Sequence, residues 1–85
     1  MPTNPLHHEP ERAAQWAATR TTVGARIRSL RLERGLTQEE VALTSGVARH
    51  ILVQVERGQR GLLYERLVDI AAALAVPASS LLEDL

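Results

Sequence analysis

Eighty-five residues make one small domain with a modest core, and the absence of cysteine excludes disulfides and thiolate metal sites. Ten arginines balance ten acids, so the net charge of zero weighs against a nucleic-acid partner overall and confines one to a single face. No apolar run approaches the ~18 residues of a membrane span, and the polar, proline-rich start (MPTNPLHHEPE) does not read as a signal peptide. A soluble cytoplasmic protein with no membrane partner is expected, and the alanine-rich composition with one Trp, one Tyr and no Phe favours helices.

Pro2, Pro5 and Pro10 break the first ten residues into an expected mobile arm. His7, His8 and Glu9 are adjacent on that arm and make a poor fixed metal site, so neither a metal nor any other cofactor is assigned. The run ERAAQWAAT, Glu11 to Thr19, favours a short helix, with Pro10 suited to its first turn. Trp16 is too large to leave exposed cheaply and is expected to pack on the body or on a second subunit. Residues 1–20 are therefore read as an N-terminal arm with a short helix, and residues 21–85 as the folded domain.

In the domain, Val23, Ile27, Leu30 and Arg31 share one helical face, and Gly35 stands where a left-handed stop is needed. Thr37-Gln38-Glu39-Glu40 forms a capping box: the Thr37 hydroxyl can accept from the Glu40 amide while the Glu40 carboxylate reaches back. The second helix runs to about Ser45. A glycine inside a continuing helix costs roughly 1 kcal/mol against alanine. Gly46 is therefore read as a turn of positive φ between two helices.

The third helix covers about Arg49 to Arg57, with Gly58 as its stop. Ala48, Ile51, Leu52 and Val55 fall on one side of it; Arg49, His50, Val53, Gln54 and Arg57 fall on the other. The second side carries cations, an imidazole and an amide but no carboxylate, unlike a solvated face of mixed sign. A fourth helix runs from Leu63 or Tyr64 to Ala75, with Leu63, Leu67, Ile70 and Leu74 as its buried stripe. Val76-Pro77 ends it. A short fifth helix, about Ala78 to Leu82, offers Leu81 and Leu82 to the core or to an interface.

Charge follows the same division. Residues 20–60 hold eight arginines against Glu33, Glu39, Glu40 and Glu56, a net of +4, while residues 61–85 carry −3. Two short helices joined by a glycine turn, the second with a basic, amide-bearing face, form a helix-turn-helix.

At these residues the chain resembles the XRE, or Cro/repressor, family of DNA-binding domains. VGARIRSLRLERGLTQEEVA, SGV, VERG and LVDIAAALAVPASSLL carry the likeness, from Val23 to Leu82. It implies an all-α, five-helix repressor-like fold in which the third helix enters the major groove of double-stranded DNA, with an additional N-terminal helical segment. Carried over by position, Arg49, His50, Val53 and Gln54 would read bases, while Thr37, Gln38, Arg57 and Arg60 would hold phosphates. Arg31 and Glu56 would form a buried ion pair between the first and third helices. Arg26 and Arg28 are read as solvated charges in reach of phosphate. The chain departs from the family at Ala48, where Ser or Thr usually caps the third helix, and at Leu62-Leu63, where a Pro-Ser pair usually stands.

Arginine can donate a fork of two hydrogen bonds to guanine, and glutamine can match adenine in the same way, each pair discriminating by roughly 1–3 kcal/mol. Val53 suits a thymine methyl or is simply tolerated. No acid pair, nucleophile or phosphate loop suggests catalysis, so an enzyme is not expected. The expected function is a sequence-specific transcriptional regulator, a dimeric repressor on an inverted repeat. Trp16, Leu62, Leu63, Leu81, Leu82 and Leu85 are candidates for a dimer or protein-partner surface. Two rival readings keep the fold: the antitoxin of a toxin–antitoxin pair, and an interaction module that has lost DNA binding.

Overall fold

The computed structural model describes residues 9–85. The arm around Pro2 and Pro5 and the His7-His8 pair lie outside the described residues. The rest is five helices and no strand: α1 (Glu9–Glu33), α2 (Gln38–Ser45), α3 (Arg49–Glu56), α4 (Tyr64–Ala73) and α5 (Ser79–Leu82).

α1 is longer than expected. The short helix read over Glu11 to Thr19 and the first helix of the body are one continuous helix of 25 residues. Thr21, Thr22 and Val23 lower helix propensity by only a few tenths of a kcal/mol each, and none of them removes an amide. Gly24 would weaken the middle of the helix, but there it allows a close approach to α3. A Cβ at Gly24 would fall inside the contact distance of the Val55 carbonyl oxygen.

Ile27 of α1, Val41 of α2, Leu52 of α3, Ile70 and Leu74 at the end of α4, and Leu81 of α5 are the largest fully buried side chains. Of the two places open to Leu81, the core and a partner surface, the structure takes the core and excludes the partner surface. Leu81 is 0% exposed and cannot meet a partner, because α5 turns it into the core. The Leu81 carbonyl also accepts a hydrogen bond from Arg26 Nη1 at 3.1 Å, tying α5 back to α1. Leu63 departs from the expected buried stripe of α4. It lies one residue ahead of the helix, at the N-cap, and is largely exposed.

α4 stops two residues early for a specific reason. Ala75 takes the left-handed conformation with φ 57°, and the Val76 amide donates to the Ala71 carbonyl at 3.0 Å, closing a Schellman-type end. An alanine occupies the place glycine usually fills, so the sequence marked the stop only by Val76-Pro77, two residues too late.

Candidate nucleic-acid interface

Thr37 begins the site. Its side-chain oxygen accepts from the Glu40 amide at 3.0 Å, and the Thr37 amide donates to Glu40 Oε1 at 3.0 Å. The Thr37 backbone amide, and then its hydroxyl, hold the Glu40 carboxyl below its ordinary pKa. This reciprocal cap fixes where α2 starts.

α2 ends at Gly46, whose φ of 76° turns the chain and whose amide donates to the Ala42 carbonyl at 2.9 Å. Ser45, buried, contributes a contact not foreseen from sequence. Its hydroxyl accepts from the Val47 amide at 3.1 Å and so satisfies the tightest part of the turn. Val47 then drops into the core and α3 starts at Arg49. Leu52 and Val55 face inward, while Arg49, His50, Gln54 and Arg57 are exposed and Val53 is half-buried.

Arg31 and Glu56 anchor α3 from behind. Arg31 Nε donates to Glu56 Oε2 at 2.7 Å and Nη2 donates to Oε1 at 2.9 Å, a bidentate fork. A third donor, Nη1, reaches the Leu36 carbonyl at 3.0 Å. The hydrogen bonds to Glu56 raise the Arg31 pKa further above its ordinary value, against the opposing effect of burial. Glu56 Oε1 also accepts from Gln38 Nε2 at 3.2 Å. Gln38 is thereby held at the start of α2 with one amide hydrogen and its carbonyl oxygen still unused among the described residues.

In front of this pair lies an open groove of about 880 Å³ between the end of α1, the start of α2 and the outer face of α3. Arg28, Thr37, Gln38, Arg49, Val53 and Arg57 line it. Arg28 and Arg26 thus part company: Arg28 faces the groove and Arg26 bonds to α5. Helical spacing could have signalled this, since Arg28 is three residues before Arg31, while Arg26 lies on another face.

Arg60 lies beyond α3, and its Nη1 donates to Gln54 Oε1 at 3.0 Å. Ala48 and Leu63 stand at the N-caps of α3 and α4 and give no side-chain hydrogen bond to either helix. The groove between these two helix starts, about 620 Å³, is lined by Ala48, Ile51, Leu63, Arg60 and Arg66. Leu62 is half-buried against the core, whereas Leu63, Leu82, Leu85 and Trp16 are exposed. Among the described residues no cluster of acids and histidines could hold a metal ion. No helix among them is long and apolar enough to cross a membrane.

Comparison with known proteins agrees with this geometry. The helix-turn-helix family HTH_3 matches residues 27–81. An HTH-type transcriptional regulator of Sinorhizobium fredii, y4dJ, is 44% identical over 57 residues, covering 67% of this chain and 74% of that protein. The phage CTXphi transcriptional repressor RstR from Vibrio cholerae is 37% identical over 60 residues, covering 71% of this chain but only 54% of RstR. Among solved structures, the restriction-modification controller protein C.AhdI of Aeromonas hydrophila superposes with a TM-score of 0.73 at 38% identity, covering 75% of this chain and 97% of C.AhdI. The controller protein C.Esp1396I, crystallised as a tetramer with its natural 35 base-pair operator, superposes with a TM-score of 0.70 at 32% identity over 76% of this chain and 86% of its own. The chain belongs to the HTH_3 family of Cro/repressor-like, DNA-binding transcriptional regulators.

Proposed function

We propose that the chain is a cytoplasmic repressor that binds an inverted-repeat operator as a homodimer, with α3 of each protomer in a major groove. The observation that carries this reading is the outer face of α3. Arg49, His50 and Gln54 stand exposed there without a carboxylate among them, beside a groove to which Arg28 and Arg57 add charge. Of the two acids that line the groove, Glu56 is neutralised by Arg31, and Glu39 at the start of α2 is outnumbered by Arg28, Arg49 and Arg57. RstR is a transcriptional repressor, and C.Esp1396I was crystallised on its operator; both favour the same reading.

In this assignment residues 21–85 form the DNA-binding domain and residues 1–20 an arm. Arg49, His50, Val53 and Gln54 read base edges. Thr37, Gln38, Arg57 and Arg60 hold phosphates, and the uncapped first-turn amides of α3 and α4 add neutral donors of the kind that bind phosphate. Two-fold symmetry sets the recognition helices about 34–36 Å apart, one helical turn of DNA. Trp16, Leu62, Leu63, Leu82 and Leu85 remain for the partner.

Selection of binding sites from random duplex DNA tests this directly. The wild-type chain should enrich a palindrome with half-sites one turn apart. Arg49→Ala should relax the preference at one position per half-site while lowering general affinity less. Arg57→Ala should weaken binding to every sequence alike. Failure to enrich any sequence above random would end the reading.

A further inference from the structure

The first two turns of α1, Glu9 to Trp16, are exposed on every side, and Trp16 is 51% exposed. Ala13, Trp16 and Ala17 nevertheless continue the stripe that, further along, becomes Val23, Gly24 and Ile27, the face packed on the body. An inward-facing stripe thus runs on past the body with nothing of its own chain beneath it among the described residues.

At the point where α1 leaves the body there is a small apolar cavity of about 170 Å³. Thr19, Val23, Leu62, Leu67 and Leu82 are among its walls. A cavity of about 150 Å³ with aliphatic walls admits a benzene ring, so this one is of a size for an aromatic side chain. Trp16 of the same chain is poorly placed to fill it. Helical side chains lean toward the N-terminus of their helix, so Trp16 leans away from a cavity that begins at Thr19.

We infer that the occupant is Trp16 of a second copy of this chain, inserted reciprocally as two α1 helices cross antiparallel near Ala18. In that register the partner's Trp16 lies opposite Arg20, and its lean carries the indole toward Val23, over the cavity. The charges agree. Arg12 precedes Trp16 by one turn on the same face, and the crossing brings it level with the exposed Ala25. There Glu83 and Asp84, just past α5, flank Thr22, Ala25 and Arg26 of α1. Arg12, Glu83 and Asp84 are exposed, and none has an ion-pair partner among the described residues. Each copy therefore offers an aromatic knob followed by a cation, and each carries a cavity followed by acids. Such a surface is self-complementary about a two-fold axis.

This inference rests on the dimeric part of the reading above but not on DNA binding, and the experiment omits DNA. Trp16 is the single tryptophan, so its emission reports its own burial. Sedimentation and tryptophan emission of the full chain are followed over a dilution series. A dimer is expected, with emission shifting to the blue in step with association. Trp16→Ala should weaken association at least about thirtyfold, the loss of a central aromatic contact, with unchanged helical circular dichroism because Trp16 lies outside the core. Arg12→Glu should weaken it too, and Arg12→Glu with Glu83→Arg and Asp84→Arg should restore it. A monomer at all concentrations, a dimer indifferent to Trp16→Ala, or blue emission in a monomer would each overturn the inference. A monomer that binds DNA would defeat only this interface, and a dimer that selects no sequence would defeat only the operator reading.

Discussion

Gln54 illustrates how one hydrogen bond changes what a side chain can read. A free glutamine amide matches adenine by accepting through its oxygen and donating through its nitrogen. Here Oε1 already accepts from Arg60 Nη1 at 3.0 Å, and since a guanidinium only donates, the pairing is chemically unambiguous. While that contact holds, Gln54 presents chiefly the two donors of its amide nitrogen. These suit acceptor-rich base edges, guanine N7 and O6 or thymine O4, better than adenine. Arg60 lies in a position assigned to phosphate, so it both anchors the backbone and biases its neighbour. Arg60→Ala is accordingly expected to behave unlike Arg57→Ala. It should lower affinity generally and also change the preferred base at the position Gln54 meets, toward adenine. Site selection with the two variants side by side checks this; an unchanged motif in Arg60→Ala would show that the contact opens on binding.

At the level of elements, α3 is held against α1 by two devices that differ in how they appear in sequence. The first is the Arg31–Glu56 fork, whose side chains are only 10% and 2% exposed, so solvent screens it little. Replacing one partner strands the other charge, and Arg31→Met or Glu56→Leu is expected to cost about 3–5 kcal/mol. The double replacement should recover most of that loss, which thermal or urea unfolding of the three variants would measure. An additive double variant would mean that the two residues act independently. This pair was readable through the likeness to the Cro/repressor family, which implies it; the residues alone placed Arg31 on the apolar face of α1 and left Glu56 unassigned. The second device is Gly24, and it was not readable. A glycine amid Thr, Val and Ala marks low helix propensity; only the position of the Val55 carbonyl reveals that a side chain there has no room. The same contrast holds elsewhere. Gly46 could be placed because a helix interior offers a glycine no reward, and its φ is 76°. The left-handed Ala75 could not, since nothing local distinguishes it from the alanines before it. The α1 extension was divided from the body for a related reason: propensity weakens over Thr21 to Gly24, but contacts with α3 and α5 carry the helix through. Leu81 and Leu82 are adjacent leucines, and their opposite fates follow from the orientation of a four-residue helix that sequence spacing does not fix.

For the molecule as a whole, a net charge of zero weighs against a polyanionic partner, and the arrangement of charge resolves the conflict. Arg28, Arg49 and Arg57 outnumber Glu39 in the groove on one side of α1, where Glu56 is paired with Arg31, whereas Glu83 and Asp84 line a separate depression on the other, beside Arg26. The Debye length at physiological salt is about 8 Å. Acids across the width of a helix, about 10 Å, are therefore largely screened from a strand lying in the groove. The local arginines then set the electrolyte dependence, and net charge does not. Each neutralised phosphate contributes about −0.9 to the slope of log affinity against log salt. Arg57 and Arg60 from two protomers give a slope of about −4, and Arg28, if it too meets a phosphate, brings it to about −5. Titration of the selected operator across salt should return a value in this range, and Arg28→Ala should flatten it by up to about 2 units if both copies make the contact. Glu33→Gln should leave the slope as it was, because that carboxylate lines the depression on the side of α1 away from the strand. A slope near zero would instead mean that the groove arginines do not meet the backbone, and the electrostatic half of the operator reading would fall with it.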